Sequence, residues 1–303
     1  MAAELLKRQF LSELSENLFP KNEFYRKSKN DSQFVNADSV QLPHAGTVPN
    51  VELDRTTKAD SAKRADTPTE YKLHELSTDP TWLQYSEELT VAYNKRSSIL
   101  YNHRMQLQTA AANFIAAAWG GTQNVKTVRT TGENRAVSGV PSGTGTRKRF
   151  VLADLQTGVK LLNEDDVPLE GRFAVITPAM LDDMLQIKEV QSSDFNKIKP
   201  LVEGSIGRYM GVDFYVRSKV NIFTAGATIR PYASTTEAAT DCAGGILWHK
   251  DMVRHAFGSI KSFLELDQPN IYGSEFSALA RVGALGARAD GKGIINLVED
   301  PGA

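Results

Sequence analysis

Between positions 85 and 118, apolar or large residues recur at a helical spacing: Tyr85, Leu89, Ala92, Ile99, Leu100, His103, Leu107, Ala110, Ala111, Phe114 and Ala118, with Arg96 filling the remaining step. Asn94, Lys95, Asn102, Gln106 and Asn113 take the other face, and no Pro or Gly interrupts the run before Gly120 and Gly121. Asp79 followed by Pro80 reads as an N-cap with proline at the first helical position, and Ser86 before Glu87 and Glu88 offers a second start. The pattern predicts a helix over 79–119, roughly 50 Å or more long at ~1.5 Å per residue. Its apolar positions keep no strict heptad and it is too polar for a bilayer, which leaves a spine for other elements to pack on.

Ahead of this helix, Leu5, Leu6, Phe10, Leu14 and Leu18 form one stripe of a short helix that Pro20 ends. That stripe docks either on its own domain or, as an arm, on another subunit. Residues 21–40 are polar and aperiodic and read as an extended arm. Val48, Val51 and Leu53, a charged stretch at 55–64, and then Thr69, Tyr71, Leu73 and Glu75 alternating with Glu70, Lys72, His74 and Leu76 predict a long hairpin with a charged tip. A two-stranded ribbon is marginal alone in water. It therefore lies on a neighbouring molecule or folds back on its own sheet.

Beyond the helix, 120–148 is rich in Gly, Thr and Ser and reads as a surface loop. Val151, Leu155, Val159 and Leu162 predict a helix over 150–162; residues 172–176 predict a buried strand running into Thr177 and Pro178, an N-cap with proline at N1. The helix after it turns Leu181, Met184, Leu185 and Val190 inward. A helix over 200–209, strands at 212–216 and 246–248 and a short helix at 251–257 complete a mixed α/β domain at 169–259. Strands at 260–266 and 276–287, a turn at 290–293 and a strand at 294–298 then return along the spine.

The chain is long enough, at 303 residues and 41% hydrophobic, for a sizeable core. Its 35 basic and 36 acidic residues leave a net charge of -1, so any contact with a polyanion must be local. Cys242 is the single cysteine, which excludes an internal disulfide and a cysteine zinc cluster. Charges through the first 20 residues argue against a signal peptide or anchor, so no membrane partner is expected.

Catalytic patterns are missing from the sequence. His44, His74, His103, His249 and His255 are scattered with no zinc spacing, and His103 reads as a residue of the spine helix surface. No Gly-x-Ser-x-Gly elbow occurs, Asp182 and Asp183 read as first-turn carboxylates favoured by a helix dipole, and Cys242 has no basic neighbour in sequence. The glycines at 143 and 145 lack the spacing of a phosphate loop. Basic clusters at 55–64 and at Arg147, Lys148 and Arg149 carry no interleaved aromatics and read as solvated faces or subunit salt bridges. The expectation is no catalytic residue, no metal and no cofactor.

Three runs carry a resemblance: RFAVITPAML at 172–181, GSIGRYMGVDFYVRS at 204–218 and ARVGALGARADGKGIINLV at 280–298. With the order of parts, arm, charged hairpin, spine helix, α/β insertion and returning strands, the chain resembles the major capsid proteins of tailed bacteriophages with the Hong Kong 97 fold. The resemblance implies an α+β, Hong Kong 97-like capsid fold: an N-terminal arm at 1–43, an extended E-loop hairpin at 44–78, a P-domain at 79–168 and 260–303 with its spine helix at 79–119, and an α/β A-domain at 169–259. It implies a shell of hexamers and pentamers around double-stranded DNA, located in the virion and assembled in the host cytoplasm. The partners implied are further copies of the chain, scaffold, portal and decoration proteins, and weak non-specific contact with the DNA. Expected inter-subunit contacts are Leu5, Phe10 and Leu14 of the arm, and Arg55, Lys58, Lys63, Arg64, Tyr71 and Leu73 of the hairpin. Some family members crosslink a hairpin lysine to a neighbour's asparagine; Lys58 and Lys63 are the lysines placed for that, and the sequence identifies no partner asparagine. The alternatives are an encapsulin-like compartment shell, an α/β enzyme with its site in 169–259, and an adhesin or tail-interaction module.

Overall fold

The apolar run at 172–176 forms a wholly buried strand, and the molecule is layered around it. A computed structural model describes residues 24–44, 49–58, 60, 61, 63, 64, 66–84, 95–187, 207–218, 221–232 and 237–302. A 3-10 turn at Phe24–Arg26 leads to β1 (Lys29–Asn30), and a second at Ser32–Phe34 leads to β2 (Ser39–His44), β3 (Thr67–Lys72), β4 (His74–Ser77) and β5 (Thr81–Gln84). Helix α1 (Lys95–Gly120) precedes β6 (Lys126–Arg129), β7 (Asn134–Ala136) and β8 (Thr146–Lys148). Then come α2 (Leu152–Glu164), β9 (Arg172–Ile176), α3 (Pro178–Leu185), β10 (Arg208–Tyr209), β11 (Val212–Val216), β12 (Asn221–Phe223) and β13 (Cys242–His249). The long hairpin of β14 (Val253–Gln268) and β15 (Gly273–Gly286) precedes β16 (Ile294–Val298).

A seven-stranded mixed sheet runs in the order β10-β11-β9-β13-β16-β6, with β12 also on β13. The period of two sorts its side chains. Ala174, Ile176, Leu247, Ile295 and Leu297 face α2 and α3 with Leu155, Leu162, Met180 and Met184. Phe173, Val175, Ile246, Trp248 and Ile294 face α1 with Ala112, Ile115 and Trp119. Thr177 caps α3 as its spelling predicts, its hydroxyl accepting from the Met180 amide at 3.2 Å with Pro178 at the first helical position.

Strands β14 and β15, with β1, β4 and β5 beside them, form a five-stranded sheet on the other side of α1. Leu83, Phe276, Ala278 and Ala280 of that sheet cover Ile99 and Leu107 of the helix. The C-terminal half of α1 is enclosed between both sheets, while Tyr101, Asn102, Met105 and Gln106 nearer its start stay exposed. Side-chain amides from the central sheet bond its final turns: Asn221 donates to Ala116 O at 3.1 Å, and Asn296 donates at 3.0 Å to Gly120 O, which has no partner within the helix.

Several expectations are corrected. The spine helix is described from Lys95; Thr81–Gln84 is instead a strand paired with β15, and Leu83 is buried against α1. Gly273 makes this pairing possible, since a Cβ there would lie 2.0 Å from Leu83 O. The N-cap expected at Asp79 therefore does not form, and Tyr85, Leu89, Ala92 and the start at Ser86 lie outside the described residues. The first hairpin strand is Ser39–His44, paired with β3, because Val40 and Leu42 can be buried on β14 while Val51 and Leu53 are 91% and 90% exposed. The arm thus ends in structure: Phe24 and Tyr25 lie in the core beneath α1. Residues 253–257 continue a strand in place of the expected helix, drawn out by pairing with β15. Arg208–Tyr209 is a strand, and 200–206 and Val190 lie outside the described residues. The loop over 120–148 contains the β7–β8 hairpin. The division expected between residues 259 and 260 falls inside β14, and β16, expected along the spine with the closing strands, sits in the central sheet.

Candidate functional site

The hairpin is anchored at its base by charge and aromatic packing. Asp31, 3% exposed, accepts from Arg254 Nη1 at 2.9 Å and from the Tyr71 hydroxyl at 3.2 Å, joining the arm, β3 and β14. Burial first, then the Asp31 charge, pushes the Tyr71 phenol upward, so it stays a donor. Phe24 meets Trp119 and Trp248 edge-on at 5.7 and 5.8 Å, and Trp248 Nε1 donates to Lys27 O at 3.0 Å. Beside them, Ser28 donates to Tyr25 O, and its hydroxyl oxygen meets His255 Nδ1 at 2.7 Å. Burial, with Arg26 nearby, lowers this histidine to about 4.

From that base, the described residues between 49 and 66 form no strand and leave the core. Val51 and Leu53 are almost fully exposed. Arg55 pairs with Glu52 at 3.0 Å and Arg64 with Asp66 at 2.6 Å, both within the loop, and Lys58 and Lys63 are exposed. Tyr71 and Leu73, expected as neighbour contacts, are 5% and 9% exposed and pack on Val40, Leu42 and Ala256 of their own chain. Leu5, Phe10 and Leu14 lie outside the described residues. A second exposed apolar surface went unnoticed in the sequence. Trp82 and Phe263, 54% and 50% exposed, share the outward face of the five-stranded sheet, where Trp82, Glu275 and Glu265 form one cross-strand row. The alternation of Trp82 with buried Leu83 was the available signal, and the helical reading of 79–119 hid it.

The polar interior is structural in its bonding. His103, expected on a helix surface, is buried: Nδ1 meets Thr78 Oγ1 at 2.8 Å and Nε2 meets Thr81 Oγ1 at 3.1 Å, tying α1 to both ends of the β4–β5 connection. Arg147, expected on a solvated face, is 3% exposed and donates to the carbonyls of Thr144, Thr146, Ala239 and Asp241. Asp183 lies past the first turn of α3 and accepts from Arg135 Nε and the Phe150 amide, each at 3.0 Å. The same Arg135 donates to Glu299, whose carboxyl burial pushes up to about 7 against the guanidinium's pull. Cys242 is buried, and burial raises its thiol. Three or more His, Cys, Asp or Glu side chains placed to hold a metal ion do not occur among the described residues.

A cavity of about 440 Å³ opens between α1 and β12, walled by Ala117, Val140, Ile222, Pro231 and Tyr232. The charged groups on it are Arg230, which pairs with Asp241 behind the wall at 2.6 Å, and Glu237, which accepts from the Ser142 hydroxyl at 3.1 Å; neither stands as a nucleophile with its base. Among the described residues, no helix is long and apolar enough to cross a membrane.

Comparison with known proteins agrees with this architecture. A search of curated protein sequences finds no match. Among solved structures, one from Mycobacterium phage Che8 is similar with a TM-score of 0.65 at 15% identity, covering 92% of each chain. The capsid of cyanophage P-SCSP1u gives a TM-score of 0.65 at 16% identity over 92% of this chain and 88% of that one. A virus-like particle from Pyrococcus furiosus gives 0.58 at 10% identity over 96% and 99%. At these identities the likeness is one of fold, the Hong Kong 97-like arrangement of a long helix between two sheets. The sequence itself matches the model of a family described as phage capsid protein over residues 50–298. The chain therefore belongs to the phage capsid protein family.

Proposed function

We propose that copies of this major capsid protein close, as hexamers and pentamers, into an icosahedral shell around double-stranded phage DNA, assembled in the host cytoplasm. The observation that carries the reading is the loop at 49–66, which holds Val51 and Leu53 in solvent beside Arg55, Lys58, Lys63 and Arg64. Such a loop gains burial only on another molecule, and closed symmetric assembly supplies one to every copy. In this reading the segment before β2 serves as the N-terminal arm, the hairpin of β2 and β3 with its loop as the E-loop, α1 with β14 and β15 as the P-domain, and the central sheet with α2 and α3 as the A-domain. The loop's apolar and basic residues, with Leu5, Phe10 and Leu14 of the arm, then contact neighbours. Scaffold, portal and decoration proteins are further partners.

Replacing 49–66 by a short glycine-serine turn tests it, with negative-stain electron microscopy and sedimentation as readouts. The expected product is soluble, folded protein that forms no closed shells; shells of normal size from that variant would overturn the role of the loop. The likeness to the Pyrococcus furiosus virus-like particle supports a second reading, a compartment shell enclosing a protein cargo. Particle contents decide between them: packaged nucleic acid supports the first and a co-purifying enzyme the second.

A further inference from the structure

An open cleft of about 350 Å³ lies where the segment before β1 passes the turn after β13. Arg26, Lys27, Lys29 and Lys250 line it with Phe173 and Gly171, and Asp251 is its one carboxylate. The backbone under these cations is fixed. Lys27 O accepts from Trp248, Lys29 is laddered beside Arg254, and the Lys250 amide donates to Gly171 O at 3.0 Å. Gly171 sits at φ +80°, and a Cβ on it would come within 3.0 Å of the Lys250 side chain, so the glycine leaves room for that lysine. Lys27 Nζ stands 5.7 Å from the centre of the Phe173 ring.

Several cations of the body sit on carboxylates: Arg129 and Lys148 on Asp300, Lys126 on Asp165, Arg281 on Glu75, Arg288 on Asp290. In the cleft Lys29 meets Asp251 at 3.3 Å, and Lys27 and Lys250 have no carboxylate partner among the described residues. With Lys29 paired to Asp251, the ammonium groups of Lys27 and Lys250 remain as local positive charge in a chain whose net charge is -1.

We propose that this cleft is where the shell subunit touches the phosphate backbone of packaged duplex DNA; the inference rests on the reading that the shell encloses DNA. Exposed ammonium groups on a rigid base, in an open cleft, suit a repeating anion that lies across them and releases its counterions. No Asn or Gln lines the cleft to read a base edge, so the contact is independent of sequence. An acidic peptide fits less well, because beyond Phe173 the lining offers no apolar pocket for side chains. Each copy binds weakly, and the many copies of a shell hold the DNA through their number.

The test uses full-length protein before assembly and labelled short duplex DNA of random sequence, followed by fluorescence anisotropy across a salt series. Lys27→Gln with Lys250→Gln is expected to weaken binding roughly tenfold at low salt and to reduce the log–log salt slope by about 2. Lys27→Arg with Lys250→Arg is expected to retain binding, and Lys58→Gln with Lys63→Gln, an equal loss of charge at the hairpin tip, to leave it nearly unchanged. Equal weakening by the cleft and hairpin pairs would overturn the proposal, as would poly-glutamate binding as tightly as DNA or full competition by inorganic phosphate. Electron microscopy of the same preparations keeps the two claims separate. Wild-type shells with unaltered DNA binding by the cleft variant refute the cleft alone, whereas wild-type shells that enclose a protein cargo and no nucleic acid refute the reading it rests on.

Discussion

Two buried groups oppose each other in their response to pH. Glu299, held up to about 7 chiefly by burial, keeps a proton in the fold that the unfolded chain releases near 4.5, so its contribution to stability falls as pH rises through that window. His255, held down to about 4 by burial and Arg26, excludes a proton that the unfolded chain binds below 6.5, so its contribution is lost as pH falls from 6.5 towards 4. Glu299→Gln removes the first effect and leaves the second. Thermal unfolding at pH 5 and pH 8 is expected to show the variant gaining on the wild type at pH 8, by up to about 3 kcal/mol. A difference that does not change with pH would refute the assignment. Neither residue was legible in the sequence as a buried titrating group. The partners of His255 are Tyr25 and Ser28, more than two hundred positions away, and those of Glu299 are Arg135 and Asp183. Thr177 with Pro178 was legible because a cap acts within one turn.

Among the elements, α1 shows how a strong local pattern stops where tertiary pairing takes over. The helical period is real from Lys95 to Gly120. Asp79 and Pro80 spell a helix start, yet the residues after them pair with β15, and the gap that admits them is made by Gly273, far along the chain. Residues 253–257 likewise carry an apolar spacing short enough to suit helix or strand, and the long partner β15 decides for strand. At the other end of α1, Gly120 was legible as a stop but not for its crowding. A Cβ there would lie 2.7 Å from Asn221 Nδ2 and 2.9 Å from Asn296 Oδ1, the two amides that bond the helix's final turns. Gly120→Ala is expected to lower stability by about 1–3 kcal/mol in urea unfolding. An unchanged midpoint would show that the amides reposition at no cost.

At the scale of the whole molecule, the helix α1 and the buried strand β9 were legible because each carries its own local pattern. The sheet topology was not, since nothing local tells β16 to lie between β13 and β6, or β1 to lie beside β14. That topology has a consequence for how the protein is made. The chain leaves the ribosome from its amino terminus, so the arm and the hairpin are exposed before residues 253–286, on which β1, β4 and β5 pair, have been synthesised. The central sheet waits longer still, for residues 294–298 to enter between strands already made. A chain ending at residue 293 is therefore expected to be recovered as aggregate, with full-length protein soluble under the same expression; a soluble, cooperatively unfolding truncation would refute this. Because β16 enters the central sheet between two strands that precede it in the chain, a subunit whose synthesis stops short of residue 294 lacks the middle of its core and has no finished surface to offer a neighbour in a growing wall.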